Sequence, residues 1–164
     1  MTKITSYAVA LGSNRLHGAH GRPDQVVRAA IGAIGGLGTV SRVSRTMDYP
    51  ALGLVGRDYA NAAAILASPL EPADLLAGLK AIERDFGRRP GRRWGPRVLD
   101  LDIILWSGGV SRPPGPNIPH PEYRNRHFVL EPLAEIAPDW RDPVTGLTVH
   151  HLLARLTAPR PARR

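Results

Sequence analysis

Val98-Leu99-Asp100-Leu101-Asp102-Ile103-Ile104-Leu105-Trp106 reads as the best strand of this chain, and the alternation at its start gives it two unlike faces. Leu99, Leu101 and Ile103 fall on one side, where a core would take them, while Asp100 and Asp102 point together from the other. Two residues of strand separate the aspartate stems by about 6.6 Å, so the carboxylates can converge on one or two hard cations. Carboxylates that close repel one another unless a cation neutralises them. A hydrated strand edge would carry the same pair, and an Asp-x-Asp by itself leaves both readings open.

Immediately upstream, Arg88, Arg89, Arg92, Arg93 and Arg97 crowd a Gly/Pro/Arg loop with Trp94, Gly95 and Pro96. Fixed cations beside a carboxylate pair suit phosphoryl transfer, where charge on the moving group must be neutralised; any single arginine taken alone is better read as a solvated charge. Further back, Pro72 near a helix start and Leu75, Leu79, Ile82 and Phe86 at helical spacing predict an amphipathic helix over Pro72–Phe86, ended by Gly87. Glu83 follows the core position Ile82, either leaning toward the arginine loop or standing as an exposed helix charge.

Working outward on the N-terminal side, Tyr59–Ala67 is apolar and of central-strand length, although its alanines are poor strand formers. Met47–Asp58, with Pro50, Gly53 and Gly56, reads as a long loop, and Thr39–Arg45 alternates as a strand. Val26, Val27, Ala30, Ile31 and Ile34 repeat at helical spacing behind Pro23 until Gly35-Gly36 stops them. Tyr7–Leu11 is a short buried strand closed by Gly12-Ser13-Asn14.

On the C-terminal side, Ser107–Asn117 is a Pro/Gly-rich loop, Val129–Ile136 and Val149–Leu156 are short helices, and 158–164 is a frayed, disordered basic tail. No internal repeat occurs. This order predicts the α+β class: a ferredoxin-like βαββαβ plait with helices on one face of a largely antiparallel sheet and an irregular helical C-terminal part.

A chain of 164 residues buries roughly 69% of the surface its unfolded form exposes, so one domain over 1–164 is expected. With 43% hydrophobic and 22% charged residues the composition is that of an ordinary globular protein. No apolar run approaches the roughly 20 residues of a membrane helix, and Met1–Ser6 lacks the apolar core of a secretory signal. Zero cysteines exclude a disulfide framework, a zinc ribbon and a thiol nucleophile, and a cytoplasmic monomer is expected.

The 22 basic residues outnumber 14 acidic ones, and all but Lys3 and Lys80 are arginines. The planar guanidinium grips phosphate oxygens in pairs, which suggests a phosphate-bearing partner; the codon bias of a high-GC genome explains the arginines equally well. No Gly-Lys-Ser/Thr phosphate loop is present, so metal and arginines would have to hold phosphates instead. Ser13 has no base near it in sequence, which leaves a serine hydrolase without support.

Arg93-Trp94-Gly95-Pro96-Arg97-Val98-Leu99-Asp100-Leu101-Asp102 resembles the signature of the 6-hydroxymethyl-7,8-dihydropterin pyrophosphokinases of folate synthesis. Leu11-Gly12-Ser13-Asn14, Asp58-Tyr59-Ala60-Asn61-Ala62-Ala63, Ile118-Pro119-His120 and Asn125-Arg126-His127-Phe128-Val129-Leu130-Glu131-Pro132-Leu133 resemble further family motifs, in the family's order. The resemblance covers about Tyr7 to Leu156.

It implies transfer of a diphosphate from ATP to the hydroxymethyl group of 6-hydroxymethyl-7,8-dihydropterin, releasing AMP. By that analogy Asp100 and Asp102 hold two magnesium ions (Mg2+), and Arg88 and Arg97 bind phosphate on a closing loop that Trp94 helps cover. Glu83, Ile103, His120 and Arg126 would lie around the ATP. Tyr59 and Phe128 would sandwich the pterin, Asn61 would read its hydrogen-bonding edge, and Thr46 would offer it a backbone contact.

Three departures weaken contacts rather than chemistry. The segment Met47–Asp58 is longer than the family's usual pterin loop, Pro121 stands where some members carry tyrosine, and Gly115 lies near the place of an arginine. The rival readings are a small Arg-rich RNA-binding plait and a metal-dependent nuclease. The first has few aromatics, at 5% of residues, and two strand aspartates that would repel a nucleic acid; the second lacks an obvious third acidic ligand or base beside the pair.

Overall fold

The computed structural model describes residues 2–14, 20–50, 59–87 and 98–161. Along the chain these form β1 (Thr5–Ser13), α1 (Pro23–Ile34), β2 (Thr39–Val43), β3 (Met47–Tyr49), β4 (Tyr59–Ser68), α2 (Pro72–Gly87), β5 (Asp100–Trp106), α3 (His127–Ile136) and α4 (Val149–Thr157). The sheet runs β2-β4-β1-β5, with β3 beside β4, and every pairing is antiparallel.

The central strands explain why helices cover both faces of this sheet, not one face as the sequence pattern suggested. Tyr7, Val9 and Leu11 of β1 and Ala62, Ala64 and Leu66 of β4 join a core with α1 and α2, whereas Ala8, Ala63 and Ile65 join a second core with α3 and α4. A strand buried on both sides shows a continuous apolar run rather than alternation. The alanines that make β4 a poor strand by propensity are the side chains small enough to lie between two helical layers.

Local chemistry sets the element ends. Pro23 occupies the first turn of α1, and the Gln25 side chain accepts from the Arg22 N–H at 2.9 Å. Beyond α1, a side chain at Gly38 would place its Cβ 2.2 Å from the Ala67 carbonyl oxygen, so the chain enters β2 only with glycine there. The expected Pro72–Phe86 helix ends with Gly87 as its last residue.

Two expectations change. Met47–Tyr49 is a short strand on β4, not the start of a loop; the remaining expected loop residues 51–58 lie outside the described residues. β5 starts at Asp100, although Val98 and Leu99 are already buried. At Ile104 the pairing with β1 skips one residue, since Ala8 faces Leu105 and Val9 faces Ile103. That bulge turns both Ile104 and Leu105 to the second core and returns Trp106 to the first. Ala158–Pro161 are exposed beyond α4, and the rest of the expected tail lies outside the described residues. Among the described residues, no helix is long and apolar enough to cross a membrane.

Candidate active site

Antiparallel partners project from the same side of a sheet, so the pairing of Gly12 with both Asp100 and Asn61, and of Ala10 with Asp102, places one row of side chains on one face. It is the face that α3 and α4 cover elsewhere. At this end the aspartates remain accessible: Asp100 is exposed and Asp102 half-buried. The neighbour between carboxylates and amide is Gly12, whose missing side chain leaves room; a Cβ there would stand 2.9 Å from Asn61 Oδ1. Asn61 and Asp100 are two strand spacings apart, about 10 Å.

Asn61 is 8% exposed, and among the described residues its Nδ2 has no hydrogen-bond partner. A buried donor left unpaired is costly, which marks it as a group shaped for something that arrives. Beside it, Tyr59 is 42% exposed at the start of β4, and Thr46 precedes the β3 residue Met47 that faces Asn61 across the ladder.

The other wall comes from the first turn of α3. Phe128 is half-buried, with the Arg126 guanidinium 5.9 Å above its ring and His127 edge-on at 6.0 Å. Tyr49 of β3 meets both rings edge-on, at 5.0 Å from His127 and 6.4 Å from Phe128, and its hydroxyl donates to Glu131 Oε2 at 2.8 Å. Burial, and then the Glu131 carboxylate, hold this hydroxyl well above the ordinary phenol range.

His120 approaches β5 from the outer edge, its backbone N–H donating to the Ile104 carbonyl at 3.0 Å. Its Nδ1 accepts from the Glu122 N–H at 3.1 Å, which assigns the ring proton of the neutral form to Nε2. Burial lowers the imidazole's affinity for a second proton, outweighing the opposite pull of the Asp102 carboxylate, and Arg126 adds to the lowering. A neutral ring with its proton on Nε2 is a hydrogen-bond donor suited to an anionic oxygen.

Behind His120 and Arg126, the segment between them is anchored by fully buried Asp142. One oxygen of Asp142 accepts from Tyr123 at 2.6 Å and from Arg124, and the other from the backbone N–H groups of Val144 and Thr145. At the far end of α3, Arg42 Nη1 donates to the Ile136 carbonyl and Arg45 forms a pair with Glu135.

Two residues expected around ATP have other surroundings. Glu83, with 9% of its side chain exposed, uses Oε1 to accept from Leu101 N at 2.7 Å and from Lys80 Nζ at 2.9 Å, and Lys80 in turn donates to the Leu101 carbonyl. An edge strand has backbone groups without a ladder partner, and this pair from α2 supplies them between the two aspartates. Ile103 is 4% exposed in the core on the opposite face from the carboxylates, so its side chain is closed to a nucleotide and only its main chain remains to offer.

The structure thus brings together Asp100, Asp102, Asn61, Tyr59, Thr46, His120, Arg126 and Phe128 around one end of the sheet. Arg88, Trp94 and Arg97 lie outside the described residues. Lys80 and Tyr49 escaped sequence reasoning. Lys80 had a signal, being one of only two lysines in an arginine-rich chain and standing at i,i+3 to Glu83; Tyr49 had none, because it falls in a segment read as loop.

Among the described residues, no group of three or more His, Cys, Asp or Glu side chains stands ready to hold a metal. Two carboxylates on an open face are nonetheless a donor set that fits magnesium, which keeps several waters and is commonly completed by substrate phosphates.

A family model described as 7,8-dihydro-6-hydroxymethylpterin-pyrophosphokinase (HPPK) matches residues 8–138. The chain is 45% identical over 106 residues to the 2-amino-4-hydroxy-6-hydroxymethyldihydropteridine pyrophosphokinase of Synechocystis sp., covering 65% of this chain and 54% of that protein. It is 40% identical over 139 residues to the enzyme of that name from Haemophilus influenzae, covering 83% of each. The match thus spans only about half the length of the first of these relatives. The crystal structure of wild-type Plasmodium falciparum HPPK-DHPS superposes with a TM-score of 0.68 at 12% identity, over 93% of this chain. That likeness concerns the fold alone.

Proposed function

Because the chain belongs to the 7,8-dihydro-6-hydroxymethylpterin-pyrophosphokinase family, we propose that it transfers the diphosphate of ATP to the hydroxymethyl group of 6-hydroxymethyl-7,8-dihydropterin and releases AMP. The observation that carries the reading is the shared face: a carboxylate pair stands about 10 Å across Gly12 from a buried amide donor without a partner.

In this reading Asn61 Nδ2 donates to the edge of the pterin, while Tyr59 and Phe128 stack on its two faces; ring geometry supplies affinity and the amide supplies identity. The hydroxymethyl group then points along the sheet toward Asp100 and Asp102. Its oxygen attacks the β-phosphorus, the bond to the oxygen bridging the α- and β-phosphates breaks, AMP departs with that oxygen, and the hydroxyl proton passes to solvent. His120 donates from Nε2 to a phosphate oxygen, and Arg126, between His120 and Phe128, supplies a fixed positive charge.

Magnesium, two ions in the family pattern, would be held by Asp100 and Asp102 and would neutralise phosphate charge and acidify the attacking hydroxyl. Arg88 and Arg97 are assigned to the phosphates and Trp94 to covering them, on the sequence motif alone. Glu83 and Lys80 act one step back, keeping Leu101 and hence the two flanking aspartates in register.

We read the sheet as a ferredoxin-like plait in which β2 and β3 together count as one broken edge strand; the order β2-β4-β1-β5 supports this. The RNA-binding alternative finds no support in these relatives. Incubation with magnesium, ATP and 6-hydroxymethyl-7,8-dihydropterin tests the proposal: AMP as the nucleotide product is expected, and ADP, or no turnover, would defeat it.

A further inference from the structure

We propose that Tyr49 is a positioning residue for pterin recognition, holding Phe128 at the separation from Tyr59 that a stacked heterocycle needs. The inference rests on the pterin reading above and adds a residue to it. Tyr49 and Tyr59 are directly paired across β3 and β4, so both project from the same side of the sheet. On its other side Tyr49 lies against the N-terminal half of α3 at three positions: edge-on to His127 and Phe128, and hydrogen-bonded to Glu131 one turn on. One side chain therefore spans from the strand beside one proposed pterin ring to the helix that carries the other.

Such a span acts as a spacer. The edge-to-face contact restricts the rotation of Phe128 toward β3, and the Glu131 hydrogen bond sets how far the helix stands from the strand. Tyr49 belongs to neither of the two cores, which close around β1, β4, β5 and the four helices without it. Its loss therefore acts mainly on the position of Phe128 and little on the fold.

The test uses Tyr49→Leu, which keeps apolar bulk without a planar edge, and Tyr49→Phe, which keeps the ring without the hydroxyl. Pterin binding is read by titrating the pterin's own fluorescence in the presence of a non-hydrolysable ATP analogue, and turnover by AMP release. Tyr49→Leu is expected to raise the pterin Kd and KM about five- to tenfold, the scale of one edge-to-face contact plus a hydrogen bond. The KM for ATP should stay within about twofold of wild type, and Tyr49→Phe should recover most of the loss.

A folded Tyr49→Leu protein with wild-type pterin affinity would overturn the proposal. So would an equal loss for ATP and pterin, or a Tyr49→Phe variant as impaired as Tyr49→Leu. If wild-type protein binds the pterin and Tyr49→Leu weakens that binding but no AMP is ever formed, the positioning role stands and the proposed transfer falls. If wild-type protein does not bind the pterin, both fall.

Discussion

Replacing Asp142 by asparagine should destabilise the protein strongly, in a pH-dependent way, and carry the active site with it. Burial alone would raise the Asp142 pKa; the hydrogen bonds from Arg124 and Tyr123, and from the Val144 and Thr145 N–H groups, overcome burial and bring it from an ordinary 3.8 to about 2. At roughly 1.4 kcal/mol per pH unit, that depression contributes about 2.5 kcal/mol to stability at neutral pH. Because the folded-state pKa lies below the unfolded one, the contribution is complete above about pH 4 to 5 and is lost as pH falls through about 2. The variant keeps an oxygen for the two backbone donors but leaves the Arg124 guanidinium without its counter-charge, so the total cost at pH 7 is about 3 kcal/mol or more. For a domain of this size that is a fall in Tm of roughly 6 to 12 °C. Melting curves of wild type and Asp142→Asn between pH 7 and pH 2 provide the check. The gap in Tm should be widest at neutral pH and close toward pH 2. A gap that stays constant across this range would refute the assignment of the carboxylate's charge as the stabilising element. Since Tyr123 and Arg124 lie between His120 and Arg126, kcat/KM should fall too, even at temperatures where the variant is folded.

Asp102→Asn preserves shape and removes one negative charge from the face proposed to hold magnesium; turnover should drop about a hundredfold or more while the fold survives, measured with saturating magnesium. Tyr59→Ala and Phe128→Ala should each weaken pterin binding by about tenfold and leave ATP binding nearly unchanged, as read by separate titrations. Glu83→Ala removes the acceptor from Leu101 N between the two aspartates; kcat should fall about tenfold with a smaller change in the KM for pterin, and a variant with wild-type kcat would dismiss the clamp as incidental.

Much of the site was legible because its chemistry lies in short contiguous motifs. The alternation of Leu99, Asp100, Leu101, Asp102 and Ile103 places the carboxylates on one face from strand period alone, and the stripe from Leu75 to Phe86 places α2 from helical period alone. The sequence was silent where a partner far away along the chain decides a residue's surroundings. Glu83 looked like an exposed helix charge or a nucleotide contact until β5 arrived with an unpaired Leu101 N–H. Ile103 falls on the core side by strand period, as expected, and the packing of α1 and α2 on that face leaves only its main chain to offer a nucleotide.

The sequence by itself determined most of the helices and strands, the shared face of Asp100 and Asp102, and the family, since each of these is written in local period and contiguous motif. Only the tertiary structure decided that α3 and α4 close the second face of the sheet, that a bulge at Ile104 returns Trp106 to the first core, and that Asn61 keeps a buried donor without a partner. It also decided that Tyr49 lies against Phe128, across 79 residues of chain. The physical reason is that which face a residue presents, and which hydrogen bond it is left without, are set by strand register and helix docking. Those depend on the summed burial of segments distant in sequence, which no local pattern encodes.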